Sequence, residues 1–382
     1  MASDVIVVGA GVTGLTSAVV LAERGLRVEV WTRSPSAETT SAVAGGLWWP
    51  YRIRPEAQAS AWALRSLAVL AGLAERPEET GVRMVEGTHG GRGSSGVGAV
   101  GGAGAGSEGG GARGAAARVR PGVRCRLPLL DMPAHLDYLR RRLAAAGGTV
   151  TVRPVASLGQ AGRAAGAVVN CTGLGARDLV PDYKVYPVRG QVVVVENPGI
   201  DEWFTVADDS KPELLYVLPQ PYGVVLGGTA GEHVWDRTPS PCTAQAIIAR
   251  CSRVHPRLCQ SRVLAHRVGL RPARHRVRLE AERLPGGARL VHNYGHGGAP
   301  GSRSRGAVRC RRRIWWSCEG GGSPAGSPLA VQGRWVREGT GRPRGVAGGP
   351  VVRHGRRCGR PVRRPPCRRR AGGSPRCGAG PR

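Results

Sequence analysis

The 382-residue chain is short of aromatic residues: they make up 4% of it, with a single Phe. Set beside 60 Gly, 29 Pro and a net charge of +30, that scarcity describes an RNA-binding or partly disordered protein better than an ordinary enzyme. Other absences exclude whole classes. No run of about 20 apolar residues occurs, so no membrane-spanning helix is read. The glycines have no three-residue period, which removes a collagen-like chain. The ten Cys form no CxxC pair and have no His at zinc spacing. Neither a metal site nor a disulfide framework is supported, and a reducing cytoplasm is the expected location. The first apolar run has no basic segment before it and no small-residue cleavage site after it, so it is not read as a signal peptide. The final Gly-Pro-Arg is not a peroxisomal address.

The averages hide a partition. Residues 300–382 hold 21 Arg against two acids, Glu319 and Glu338, and five of the ten Cys, with no Lys, Asp, Asn, Phe, Tyr or Met. Removing that +19 from +30 leaves +11 for residues 1–299. Gly90–Arg124 is similarly restricted, to Gly, Ala, Arg, Ser, Val, Pro and one Glu. Elsewhere the chain alternates strand and helix patterns at a length sufficient for two domains.

Val5-Ile6-Val7-Val8 is a β-branched run suited to a strand buried on both faces. Gly9-Ala10-Gly11-Val12-Thr13-Gly14 follows, then helical spacing over Leu15–Arg24 and a second β pattern at Leu26–Val30. This is the βαβ dinucleotide fingerprint. Gly9 permits the tight turn, Gly11 the approach of a pyrophosphate, and Gly14 close packing of helix on strand. The helix start offers unpaired N–H groups and the positive dipole end. The acid expected at the end of the second strand is missing, since Trp31-Thr32-Arg33 stands there. Arg33 is placed to contact the adenosine phosphates or to select a 2′-phosphate. The fingerprint alone accommodates FAD or NAD(P).

Further along, Thr39-Thr40-Ser41-Ala42-Val43-Ala44-Gly45-Gly46-Leu47-Trp48-Trp49-Pro50-Tyr51 sets hydroxyls ahead of two glycines, which lets bare backbone lie against a flat ring. Arg126–Pro133 leads into an amphipathic helix near Ala134–Ala145 and a strand near Thr149–Pro154. Asn170-Cys171-Thr172-Gly173 turns sharply after a buried strand, and Pro187–Val195 opens a long one. Tyr216–Thr229 reads as a hairpin. Gly269-Leu270-Arg271-Pro272 and His292-Asn293-Tyr294-Gly295-His296-Gly297-Gly298 complete the series. Together these segments resemble the D-amino-acid oxidase family over about 4–89 and 125–299.

The resemblance implies an α/β fold, with a Rossmann-like FAD-binding domain and a mixed-sheet substrate domain. It divides the chain into 1–89 and 125–182 as FAD-binding, 183–271 as the substrate domain and 272–299 as a return to the first, with 90–124 anomalous and 300–382 a basic, disordered tail. FAD would be held by Gly9, Ala10, Gly11, Val12, Thr13, Gly14, Thr32, Arg33, Thr40, Ser41, Gly45, Gly46, Leu47, Val155, Thr172, Arg271, Gly297 and Gly298. The substrate would be a D-amino acid: its carboxylate on Arg271 and Tyr216, its amine on the Gly298 carbonyl. A guanidinium suits that role, since it pairs with a carboxylate through two bonds. The reaction implied is hydride transfer from Cα–H to the flavin, hydrolysis of the imino acid to a 2-oxo acid, and reduction of O2 to hydrogen peroxide. His292 and His296 read as structural hydrogen-bonding groups rather than acid or base. A related oxidase for glycine or an N-alkyl amino acid, or an inactive product of a damaged reading frame, are the alternatives.

The pattern breaks at 90–124 and after Ala299. Both stretches have the residues that GC-rich codons give in a wrong frame. The rival reading of the tail, a basic arm for nucleic acid, is disfavoured because it has no repeat and only scattered Trp315, Trp316 and Trp335.

Overall fold

A computed structural model describes residues 2–49, 55–90, 122–206 and 215–297; the segment 91–121 and everything from 298 onward, Gly298 included, lie outside the described residues. The chain opens with β1 (Ser3–Val8), α1 (Val12–Ala22) and β2 (Val28–Thr32). Side chains alternate across a strand, and β1 buries both sets. Val5 and Val7 enter one core with Leu15, Ala18 and Val19 of α1, while Ile6 and Val8 enter another with Trp31 and Leu158. Each such fully buried side chain contributes about 1.5–3 kcal/mol.

Helices α2 (Thr40–Val43), α3 (Glu56–Leu73) and α4 (Pro77–Thr80) follow, then β3 (Val82–Gly90) and β4 (Val123–Leu130). Helix α5 (Met132–Ala145) starts two residues before the reading of the sequence because Asp131 caps it, accepting from the Ala134 amide at 3.2 Å. Its buried face, Leu136, Leu139 and Leu143, joins α1 in the first core. Strand β5 (Thr149–Val152), α6 (Leu158–Ala164), β6 (Ala165–Asn170) and α7 (Ala176–Leu179) complete the first half of the chain.

The second half is mostly antiparallel: β7 (Tyr186–Val195), β8 (Trp203–Val206), β9 (Leu215–Gln220), β10 (Gly223–Gly227) and β11 (Gly231–Glu232). Helix α8 (Pro241–Ser252) covers one face of this part through Ala244, Ile247 and Cys251. Two long strands close the described chain, β12 (Val263–Arg283) and β13 (Arg289–His296).

Among the described residues thirteen strands form one mixed sheet, ordered β4-β3-β8-β9-β10-β7-β12-β13-β6-β1-β2-β5, with β11 on β7. This is the α/β, mixed-sheet architecture expected from the sequence. The β6-β1-β2-β5 part is parallel and helix-covered, as buried parallel strands must be. Strand β12 joins the two parts: it pairs with β7 over Val263–Ala273 and with β13 over Ala273–Arg283, and its pairing with β13 shifts register between Ala273 and Arg278. The carboxyl end of β1 lies between β6 and β2, where the strand order reverses, and that is where open α/β sheets bind ligands.

Candidate active site

The crevice at the carboxyl end of β1 is built by close approach. A Cβ at Gly14 would fall 1.8 Å from the Gly9 carbonyl oxygen, so only glycine lets α1 begin there. The first-turn amides of α1 have no carbonyl one turn earlier to bond. The Val12 amide is taken by Ser41 Oγ at 3.0 Å, which leaves those of Thr13 and Gly14 toward the crevice. The facing wall is the turn after β6: the Cys171 amide donates to the Val8 carbonyl at 2.9 Å.

The run after α2 is laid along the sheet. Leu47 forms an antiparallel bridge with Leu129. The Trp48 amide donates to the Pro128 carbonyl at 2.9 Å, and Gly46 accepts from the Leu130 amide at 3.0 Å. Gly46 has φ +86°, and a Cβ there would sit 2.0 Å from the Leu130 carbonyl oxygen. Gln220 on β9 clasps this arrangement, its Nε2 donating to the carbonyls of Gly45 and Leu130 at 2.9 Å each. Thr40 ties α2 to β12, its hydroxyl donating to the Leu270 carbonyl at 3.0 Å.

Beside that contact stands Arg271. Its guanidinium lies over Gly190, where a Cβ would come within 2.6 Å of three of its atoms, and its Nη1 donates to the Thr229 carbonyl at 3.0 Å. The Tyr216 ring occupies space left by Gly227 and reaches Gly45: a Cβ on the first would lie 1.9 Å from the ring, on the second 3.6 Å. Burial pushes the Tyr216 pKa up while the neighbouring Arg271 opposes the shift. The phenol is therefore a neutral hydroxyl, able to donate beside a fixed cation. Two anion-binding donors thus converge next to small-residue backbone, with Arg271 on β12 three strands along the sheet from β1.

A family model described as FAD dependent oxidoreductase matches residues 4–304. The chain belongs to this family of FAD-dependent oxidoreductases. A D-amino-acid oxidase of Streptomyces coelicolor is 59% identical to it over 296 residues, covering 78% of this chain and 91% of the relative. One of Rubrobacter xylanophilus is 46% identical, covering 77% and 90%. A human D-aspartate oxidase is 32% identical, covering 76% and 88%. The crystal structure of glycine oxidase from Geobacillus kaustophilus, 20% identical, shares the fold with a TM-score of 0.61 over 77% of this chain and 89% of that one.

The residues of this oxidoreductase fit FAD on their own geometry. Gly11 has a single atom, Ser41 Oγ, within reach of a Cβ, at 3.1 Å, so a pyrophosphate there would meet backbone rather than side chains. Gly45 and Gly46 present no side chain to a ring. Thr40, Ser41 and Leu47 lie in the same stretch, whereas Thr32 turns its hydroxyl back to the Ser34 carbonyl at 2.8 Å. Arg33 is exposed beyond β2, and Val155 packs beside Trp31 and Leu158. Thr172 follows β6 after one residue, Cys171. Gly297 docks on β12, its amide donating to the Pro272 carbonyl at 3.1 Å. His292 is wholly buried between Asn170 and Glu282, and His296 ends β13. The sequence reading assigned no role to Gly190, Thr229 or Gln220. A glycine directly after Pro-Val-Arg was a usable signal for the first. The other two act through a carbonyl and a long-range clasp that no local pattern carries. Among the described residues no helix is long and apolar enough to cross a membrane, no cluster could hold a metal ion, and the five cysteines are unpaired.

Proposed function

We propose that this FAD-dependent oxidoreductase oxidatively deaminates D-amino acids to 2-oxo acids, with O2 reduced to hydrogen peroxide. The observation that carries the reading is the convergence of Arg271 and Tyr216 beside Gly45. Identity of 59% to a protein named D-amino-acid oxidase supports it. Arg271 binds the substrate carboxylate through its guanidinium fork, held in orientation by Thr229 and by the flat seat of Gly190. Tyr216 donates its hydroxyl to the same carboxylate. Gly298 supplies a carbonyl for the amine. FAD, held in the cradle described below, would supply the two-electron redox chemistry that couples oxidation at Cα to reduction of O2. The chain's own contribution is to fix which face of Cα is presented, because two of its substituents are held at once. The imino acid hydrolyses in water after release.

Gly9–Gly14, Thr40, Ser41, Gly45–Leu47, Thr172 and Gly297 form the cofactor cradle, and Arg33 and Val155 flank the adenosine end. The division into FAD-binding segments (1–89, 125–182, 272–299) and a substrate domain (183–271), and a cytoplasmic location, belong to the same reading. Purified protein should be yellow and should bleach on anaerobic D-alanine but not on L-alanine. A colourless protein overturns the proposal, and bleaching by glycine or sarcosine alone assigns the sister activity.

A further inference from the structure

Two polar side chains stand fully buried in the parallel half of the sheet. Asn170 closes β6, and His292 stands opposite it on β13 in parallel register. Burying such groups costs free energy unless every bond is made, and here the bonds can be assigned one by one. Asn170 Oδ1 accepts from the Thr172 amide at 3.2 Å and from the Thr172 hydroxyl at 2.7 Å. The amide oxygen therefore faces the turn and the nitrogen faces β13, where Nδ2 donates to His292 Nδ1 at 3.1 Å. A ring nitrogen that accepts carries no proton, so the proton of His292 is on Nε2 and is donated to Glu282 Oε1 at 2.9 Å. Glu282, on β12, is half exposed. A single file of hydrogen bonds thus links the surface of β12 to Thr172, with each donor and acceptor fixed by the one before it.

The turn at the end of this file is a wall of the dinucleotide crevice. A Cβ at Gly9 would lie 2.5 Å from the Cys171 carbonyl oxygen, so the shape of 171–173 and the opening of the Gly9–Gly14 loop cannot change independently. We infer that Asn170 and His292 are positioning residues for the cofactor: the neutral, Nε2-protonated form of His292 orients Asn170, which holds the Cys171–Thr172 turn against Gly9 in the shape that receives FAD. This rests on the reading of the crevice as the FAD cradle.

The arrangement admits one protonation state. A second proton on Nδ1 would point at the Asn170 NH2, donor against donor. Rotating the amide would then set its NH2 against the Thr172 amide, so relief at one end breaks the bond at the other. The groups that face His292 are Glu282, Glu280 and Arg278 from β12, uncharged Asn170 from β6, and Tyr294, edge-on at 5.7 Å, from β13 itself. Burial and Arg278 oppose the added proton and the two carboxylates favour it; burial is the largest influence, and the imidazole titrates below its ordinary range.

The test is FAD binding to apoprotein, read by quenching of flavin fluorescence between about pH 8 and about pH 4, a span carried below the ordinary imidazole range because burial lowers this one. Wild-type affinity should weaken about tenfold or more at the acid end, as expected for one lost buried hydrogen bond. His292→Asn puts an amide oxygen at the place of Nδ1 and cannot titrate, so its affinity should match wild type at high pH and stay level. His292→Gln reaches the place of Nε2 and leaves Asn170 unpartnered, so it should bind weakly at every pH. Thr172→Val, which keeps the fold's backbone bonds, should lose affinity by a smaller factor. A level wild-type profile, or a His292→Asn profile that still falls in acid, overturns the inference. Gly11→Val separates the parent reading: if it binds FAD like wild type, the crevice is not the cradle and that reading fails instead.

Discussion

Arg271 is held on three sides before any substrate arrives: by Gly190 beneath it, by the Thr229 carbonyl at 3.0 Å and by the Tyr216 ring alongside. A guanidinium fixed in this way has little rotamer freedom left to lose on binding a carboxylate. Arg271→Ala should therefore cost about 3 kcal/mol or more in kcat/KM, over a hundredfold, with most of the change in KM. Flavin content, read from the visible spectrum, should be unchanged; loss of flavin instead would remove Arg271 from the carboxylate role. Tyr216→Phe deletes one neutral donor and should cost about 1 kcal/mol, roughly fivefold in kcat/KM. The arginine was legible because Gly-Leu-Arg-Pro resembles a family motif among several other cations. Its seat was not: Gly190 is 81 residues away in sequence and meets Arg271 only because Val188 and Arg271 are partners in the β7–β12 ladder.

At the scale of elements, the run that carries Gly45 and Gly46 depends on an edge. Among the described residues no strand lies on the outer side of β4, and segment 46–48 takes that place through the Leu47–Leu129 bridge. Gln220 then pins it from β9 by two bonds at 2.9 Å. Gln220→Leu should leave the buried Leu130 carbonyl and the half-buried Gly45 carbonyl without this donor, a loss of about 1–3 kcal/mol for the first and less for the second. The expected outcome is a lower unfolding midpoint in urea together with weaker FAD binding, since the run it releases carries Gly45 and Gly46. Helix α1 is more demanding still. Gly14→Ala would drive a methyl into the Gly9 carbonyl, and overpacking of this kind costs about 1–3 kcal/mol or more. Calorimetry should show a reduced Tm, and the protein should be recovered without flavin. The βαβ start of the chain was readable from its period and glycines. The Gln220 clasp was not, because a Gln at the end of a hairpin strand has no local signature.

For the molecule as a whole, acid stability follows from groups buried in one protonation state. Burial alone would raise the Asp182 pKa, but the hydroxyl of Tyr294 at 2.8 Å and the guanidinium of Arg274 at 3.0 Å hold it below the usual carboxylate value. Such a carboxylate stabilises fully above its unfolded pKa of about 3.9, and the contribution is lost as pH falls through the lower, folded value. His292, His135 and His89 are all held below the ordinary imidazole range, chiefly by burial. The unfolded chain takes up their protons first, so they erode stability as pH falls below about 6.5. Urea midpoints should therefore decline from neutral pH downward, first through the histidines and then through Asp182. Asp182→Asn strips the carboxylate from Arg274, which is 16% exposed, and one of three carboxylates from Arg278. It should cost about 3 kcal/mol at neutral pH and flatten the most acid part of the profile. A midpoint unmoved by that substitution would show the cluster to be energetically idle. The sequence by itself determined the parallel half, the glycine turn at the end of β1 and the family, because period-two and period-3.6 patterns and glycine spacing are local properties of a chain. It also showed that +19 of the +30 charge lies in residues 300–382. Only the tertiary structure decided what surrounds Arg271, which loop Gln220 grips and which tautomer His292 holds. Those depend on strand register, which brings together residues tens to hundreds of positions apart.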